Sequence, residues 1–172
     1  IWSLRGINNV TIDGIDLTDG NPAGTSFYME YGYGLFKANP TDGAQRDTIR
    51  NCTITLNRID TTSGSALFFD GSVGIAVVND TATNLTTGGI VPTNINGTNS
   101  RNAFYANTIQ NCNIGIGLSG YTAPSPYTLS DSLNDVGGSA STTGNNIINF
   151  GGGTSSSGSA ASYGVFAKDQ WG

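Results

Sequence analysis

A two-part unit that recurs along the chain constrains its folding more than any other feature. Asn107-Thr108-Ile109-Gln110-Asn111-Cys112 returns upstream as Asp47-Thr48-Ile49-Arg50-Asn51-Cys52, and downstream as Asn145-Asn146-Ile147-Ile148-Asn149-Phe150. A second half, Gly115-Ile116, echoes Gly34-Leu35, Gly74-Ile75 and Gly164-Val165. Constant units joined by connections of variable length mark a repeat protein whose insertions leave from particular corners. Aligned in this way, Leu35 shares a column with Ile75, Ile116 and Val165, and Ile49 with Ile109 and Ile147. Asn51 falls with Asn111 and Asn149, and Cys52 with Cys112 and Phe150. Stacked copies turn each column into a ladder of like side chains, apolar inside and asparagine at a turn.

The units themselves read as strands. Val10 and Ile12 alternate with Thr11 and Asp13, the pattern of a strand with one buried face. No window keeps an apolar period of three to four residues, and Gly, Asn, Thr and Ser crowd out good helix formers. The expectation is an all-β fold, a right-handed parallel β-helix (solenoid) with long Gly/Ser/Thr/Asn-rich insertions. Residues 79–101, 121–144 and 151–162 are those insertions, loops by composition. No domain boundary is visible, so residues 1–172 form one segment, expected to belong to a longer repeat protein.

Charge removes whole classes of partner. The net charge is −5 and only 7 residues are basic, scattered rather than clustered, which argues against nucleic acid and anionic membrane surfaces. No apolar run approaches the length of a membrane span. Two cysteines are too few for a disulfide scaffold. A repeat position that accepts Cys52, Cys112 or Phe150 is a buried apolar one, which favours reduced thiols. A Cys52–Cys112 bridge is the alternative if their strands are neighbours.

The Asn-x-Ile-x-Asn-Cys-x-Ile pattern followed by Gly-Ile-x-Leu resembles the parallel β-helix repeat of the pectate-lyase-like superfamily, from about Asn8 to Lys168. The Thr/Asn-rich style is similar to large repetitive cell-surface proteins of Bacteroidetes, which are exported by type IX secretion. That resemblance implies an extracellular location, with surface glycans and other cell-surface or secretion-system components as partners. It also implies O-glycosylation at Asp-(Ser/Thr)-apolar triplets, here at Thr48, Thr61, Thr81 and Ser132. Asn-x-Thr sequons begin at Asn9, Asn51, Asn79, Asn84 and Asn96, but so Asn- and Thr-rich a composition generates them by coincidence.

Catalytic chemistry is hard to assemble from these residues. The superfamily's pectin hydrolases carry paired aspartates, a Gly-His-Gly segment and an Arg-x-Lys segment; this chain has no His and no Asp-Asp pair. Without histidine, Ser-His-Asp and Cys-His nucleophiles and most transition-metal sites are out of reach. Asp13, Asp16 and Asp19 are the best carboxylate cluster for calcium, yet Asp16 has the opposite strand parity, so solvated aspartates are the simpler reading. Tyr28, Tyr31 and Tyr33 could present a strip to a sugar ring, set against ordinary packing of a half-buried strand. Thr53-Ile54-Thr55 is a single Thr-x-Thr instance, where an ice-binding surface needs an array. No catalytic residue, metal ligand or cofactor is assigned. The expected role is a non-catalytic structural or adhesive segment of a secreted surface protein. The alternatives are a carbohydrate-active β-helix with its active coils elsewhere, or a glycan-binding module.

Overall fold

The computed structural model describes residues 1–21, 29–58, 71–83, 89–151 and 161–172. Their strands run in rounds. The first round is β1 (Trp2–Arg5), β2 (Thr11–Asp13) and β3 (Leu17–Thr18), and the second is β4 (Tyr31–Phe36), β5 (Thr48–Arg50) and β6 (Thr53–Thr55). The third is β7 (Val73–Val78), β8 (Ala103–Tyr105) and β9 (Thr108–Gln110). The fourth is β10 (Ile114–Ser119), β11 (Asp131–Ser132), β12 (Asp135–Val136) and β13 (Asn146–Ile148), followed by β14 (Tyr163–Lys168) and β15 (Gln170–Trp171). One 3₁₀ turn, Ile95–Gly97, interrupts the third round. The described residues contain no α-helix.

Each round adds one strand to each of three sheets. β1, β4, β7, β10 and β14 form a five-stranded sheet, and β2, β5, β8 and β12 a second sheet. β3, β6, β9 and β13 form a third, and β11 pairs with β15. Every strand pairing is parallel. The all-β expectation and the parallel pairing are therefore met.

Between the sheets, like side chains line up in columns. Tyr33, Ile75, Ile116 and Val165 are successive partners in the long sheet, as are Leu35, Val77, Leu118 and Ala167. Ile12, Ile49, Phe104 and Val136 line the second sheet, and Leu17, Ile54, Ile109 and Ile147 the third. These residues make up most of one apolar core. The middle strands of the long sheet, β4, β7 and β10, are also buried on their other face, where Tyr31, Phe36, Val73, Ala76, Val78 and Ile114 form a second cluster. Burial on both faces suits the continuous apolar run Val73–Val78.

All four expected columns are corrected by this register. Ile49 belongs to the second sheet beside Ile12 and Phe104, whereas Ile109 and Ile147 belong to the third. Asn51 and Cys52 therefore do not share columns with Asn111 and Cys112; Asn149 does align beside Asn111, one residue beyond the Ile148–Gln110 pair. The physical reason is that each round carries two short Thr-Ile-type strands, so local similarity does not say which sheet a copy joins. In the long sheet, Leu35 pairs with Val77 rather than Ile75, a two-residue shift from the expected alignment. That shift preserves the alternation of faces, so Leu35 still points into the core.

A glycine column fixes this closer spacing. A Cβ on Gly74 would collide with Ile109 Cγ2 and sit 2.7 Å from the Gly115 carbonyl oxygen; Gly32 and Gly115 are similarly crowded by Gly74 and Gly164. Only glycine lets the long sheet pack this tightly on the third.

Candidate functional site

The corners between sheets hold most of the buried polar chemistry. Their backbone repeats: Asn9, Arg46, Arg101 and Leu133 have φ of 61, 58, 63 and 56° ahead of the second sheet. This left-handed conformation is costly outside glycine and asparagine. Here each residue donates its amide to the neighbouring round, as Arg46 N–H does to Ser100 O at 3.1 Å and Arg101 N–H to Ser132 O at 2.9 Å.

Inward-facing Asn and Asp side chains complete the corners in three ladders. In the first, Asn102 Oδ1 accepts the Asp47 amide at 3.0 Å, and Asn134 Oδ1 accepts the Asn102 amide at 2.9 Å. In the second, Asn107 Oδ1 accepts the Cys52 amide at 3.1 Å while its Nδ2 donates to Ile49 O at 2.9 Å; Asn145 repeats the arrangement on Asn107 and Phe104. In the third, Asn99 Oδ1 accepts the Ala44 amide at 2.9 Å and its Nδ2 donates to Val78 O at 2.8 Å. Each side chain thus satisfies one buried donor and one buried acceptor that a turn leaves open. The sequence signal was present as Asn99-Ser100-Arg101-Asn102 and Asp131-Ser132-Leu133-Asn134, spaced one round apart.

Two ladder positions carry Asp where the pattern uses Asn. Asp47 Oδ1 accepts the Val10 amide at 2.9 Å, but its buried Oδ2 has no partner. Burial pushes its pKa up to about 6. Asp131 Oδ1 accepts the Asn99 amide at 2.8 Å, and its Oδ2 also lacks a partner. Lys37 Nζ lies 3.6 Å from Asp131 Oδ1 and donates to Gly97 O, with both side chains 0% exposed. Desolvation lowers the Lys37 pKa against the pull of Asp131, and raises Asp131 to about 6. Gly97 has no room for a Cβ, which would collide with Pro40 O. The pair is sealed from solvent and can act only on the chain itself.

The residues expected to bind are scattered and mostly occupied. Tyr33 is fully buried in the core, where its hydroxyl donates to Ile15 O at 2.7 Å. Tyr31 is buried against Phe36 on the opposite face. Neither offers a ring to a sugar, so the sugar-strip reading is corrected for these two and the packing reading set against it is met; Tyr28 lies outside the described residues. Asp13, Asp16 and Asp19 do not converge. Asp13 pairs with Arg50 at 2.8 Å, Asp16 accepts the Thr53 amide, and Asp19 accepts the Asn21 and Met29 amides. Among the described residues, no group of three or more His, Cys, Asp or Glu could hold a metal ion.

Thr48, Thr81 and Ser132 are half-buried, and the aspartates before them, Asp47, Asp80 and Asp131, are buried; Thr61 lies outside the described residues. Cys52 and Cys112 are free, buried and at different corners, and burial pushes the Cys112 thiol up to about 12. Asn149 Nδ2 donates to Asn111 Oδ1 at the exposed corner, and Phe150 is 42% exposed where Cys112 is buried. A cavity of about 550 Å³ lies beside the last strands, lined by Leu118, Val136, Val165 and Trp171. Trp171 stacks on Tyr127 at 4.7 Å. No helix of the described residues is long and apolar enough to cross a membrane. Comparison with protein-family models, with curated proteins and with solved structures found no match.

Proposed function

We propose that this chain is a segment of a right-handed parallel β-helix that serves as a non-catalytic structural or adhesive element of a large secreted cell-surface protein. One observation carries the reading: three parallel sheets receive strands in rotation, and Asn ladders bind successive rounds together at every corner described above. Such an arrangement supplies length and stiffness, because each round contacts its neighbours through all three sheets. The right hand follows from the strong preference of crossovers between parallel strands. The resemblance to pectate-lyase-like repeats supports the same topology.

The Asp-(Ser/Thr)-apolar triplets extend the reading to the Bacteroidetes surface proteins exported by type IX secretion. Burial of Asp47, Asp80 and Asp131 then requires any glycosyltransferase to act before the fold closes. Surface glycans and other surface components are the partners it would meet. The test is a polysaccharide screen with calcium present and absent, combined with antibody labelling of intact producing cells. Surface labelling without new chain ends is the expected result, and turnover of any polysaccharide or purely internal labelling overturns the reading.

A second reading, a glycan-binding element, is favoured by the stacked pair Tyr127 and Trp171, which are 42% and 55% exposed. Trp171→Ala abolishing retention on a glycan array supports that reading, and no retention of the unaltered chain removes it.

A further inference from the structure

Lys37 is the one basic residue drawn into the interior at the described corners, and its surroundings are unusual for an ordinary ion pair. A buried salt bridge holds only when hydrogen bonds satisfy the remaining atoms of both partners. Asp131 fails that condition, because Oδ2 is buried and unpartnered. Its other oxygen, Oδ1, is fixed by the Asn99 amide at 2.8 Å. The nitrogen of Lys37 is held 3.6 Å from that oxygen by the Gly97 carbonyl.

We propose that Lys37 and Asp131 join in an intramolecular isopeptide bond, formed by the fold itself with release of one water. Neutral Lys37 Nζ attacks Asp131 Cγ. The Asn99 N–H holds Oδ1 as negative charge develops there, the role of an oxyanion-stabilising donor. The new N–C bond replaces the Cγ–Oδ2 bond, and Oδ2 leaves as water with its own proton and one from Nζ. No oxidant, reductant or outside group enters the balance.

The product removes each irregularity of the starting pair. The unpartnered Oδ2 is gone, Oδ1 keeps the Asn99 amide, and the single remaining N–H of the amide has Gly97 O as its acceptor. Burial works in the same direction. Desolvation favours the uncharged amine and the uncharged acid, the two forms that can react. Positioning within a dry, rigid corner supplies the high effective concentration that an uncatalysed amide condensation lacks. The link would tie the second round to the fourth across the third, reinforcing the direction in which neighbouring rounds would separate.

The experiment is intact-mass and peptide mass spectrometry of the folded chain, beside Lys37→Arg. Lys37→Arg keeps a cation but lacks the primary amine. The expected result is a chain lighter than its sequence by one water, with a branched peptide joining Lys37 to Asp131, and a Lys37→Arg chain at full mass. A folded chain at full sequence mass overturns the proposal. A water loss that persists in Lys37→Arg also overturns it, because cyclisation at Asp131-Ser132 then accounts for it. The branched peptide from the unaltered chain decides the matter even if Lys37→Arg fails to fold.

Discussion

The long sheet and the two short-stranded sheets solve the same stacking problem with different chemistry. The middle strands of the long sheet, β4, β7 and β10, are buried on both faces, and its rounds are set by aliphatic columns and a crowded glycine column. In the short sheets, strands such as β5 and β9 bury one residue of three, and their rounds are tied by Asn side chains at the corners. The long sheet is specified by volume and the short sheets by hydrogen bonds. Errors in the first should act as overpacking, and errors in the second as orphaned polar groups.

The largest effect is expected from Gly115→Val. Its side chain would meet Ile147 and the Gly164 backbone, neither of which can move freely. A loss of about 3 kcal/mol or more in chemical denaturation is expected. Asn107→Ala should follow at about 2 kcal/mol, because it orphans the Cys52 amide and the Ile49 carbonyl together. Asn149→Ala, at the exposed end of its column, should fall within about 0.5 kcal/mol and so separates corner ladders from surface ones.

Asp47→Asn should act in the opposite direction. The Asp47 pKa rises from an ordinary 3.8 to about 6 on folding, so the folded state binds the proton more tightly. Stability from this group is complete below about pH 4 and is lost as pH rises through about 6. Asn at this position repeats the Asn102 arrangement, so a gain on the order of 1 kcal/mol at pH 7 and a flatter profile between pH 4 and 6 are expected in thermal unfolding. Arg50→Ala should be the smallest change. It removes an exposed pair whose side chains are 49% and 43% open, and the unfolding midpoint should not move.

The same contrast explains what the sequence reveals. Ile12 between Thr11 and Asp13, and the repeated Gly-Ile segments, announce parallel stacked strands, because Ile12, Ile75 and Ile116 are all buried. Val10, expected on the same buried face, is 38% exposed and precedes the strand. The sheet to which each short strand belongs is not legible in the same way. Thr48-Ile49-Arg50 and Thr53-Ile54-Thr55 occur within one round, and either resembles Thr108-Ile109-Gln110. Their separation depends on the corner between them, where Asn51 adopts φ of 54°. The sequence leaves Tyr33 between a sugar-facing strip and ordinary packing, and the two-residue shift decides for packing by bringing it beside Ile75 in the core. Lys37 is hidden for a related reason. A lone lysine after an apolar run looks solvated, and its acid stands in an insertion two rounds later.

The most direct test of the rotation of strands through three sheets is cross-strand contact measurement by NMR on the labelled chain. Backbone contacts between Ile49 and Phe104, together with contacts between Ile54 and Ile109, are the predicted result. Contacts pairing Ile49 directly with Ile109 would place both in one sheet and contradict the account.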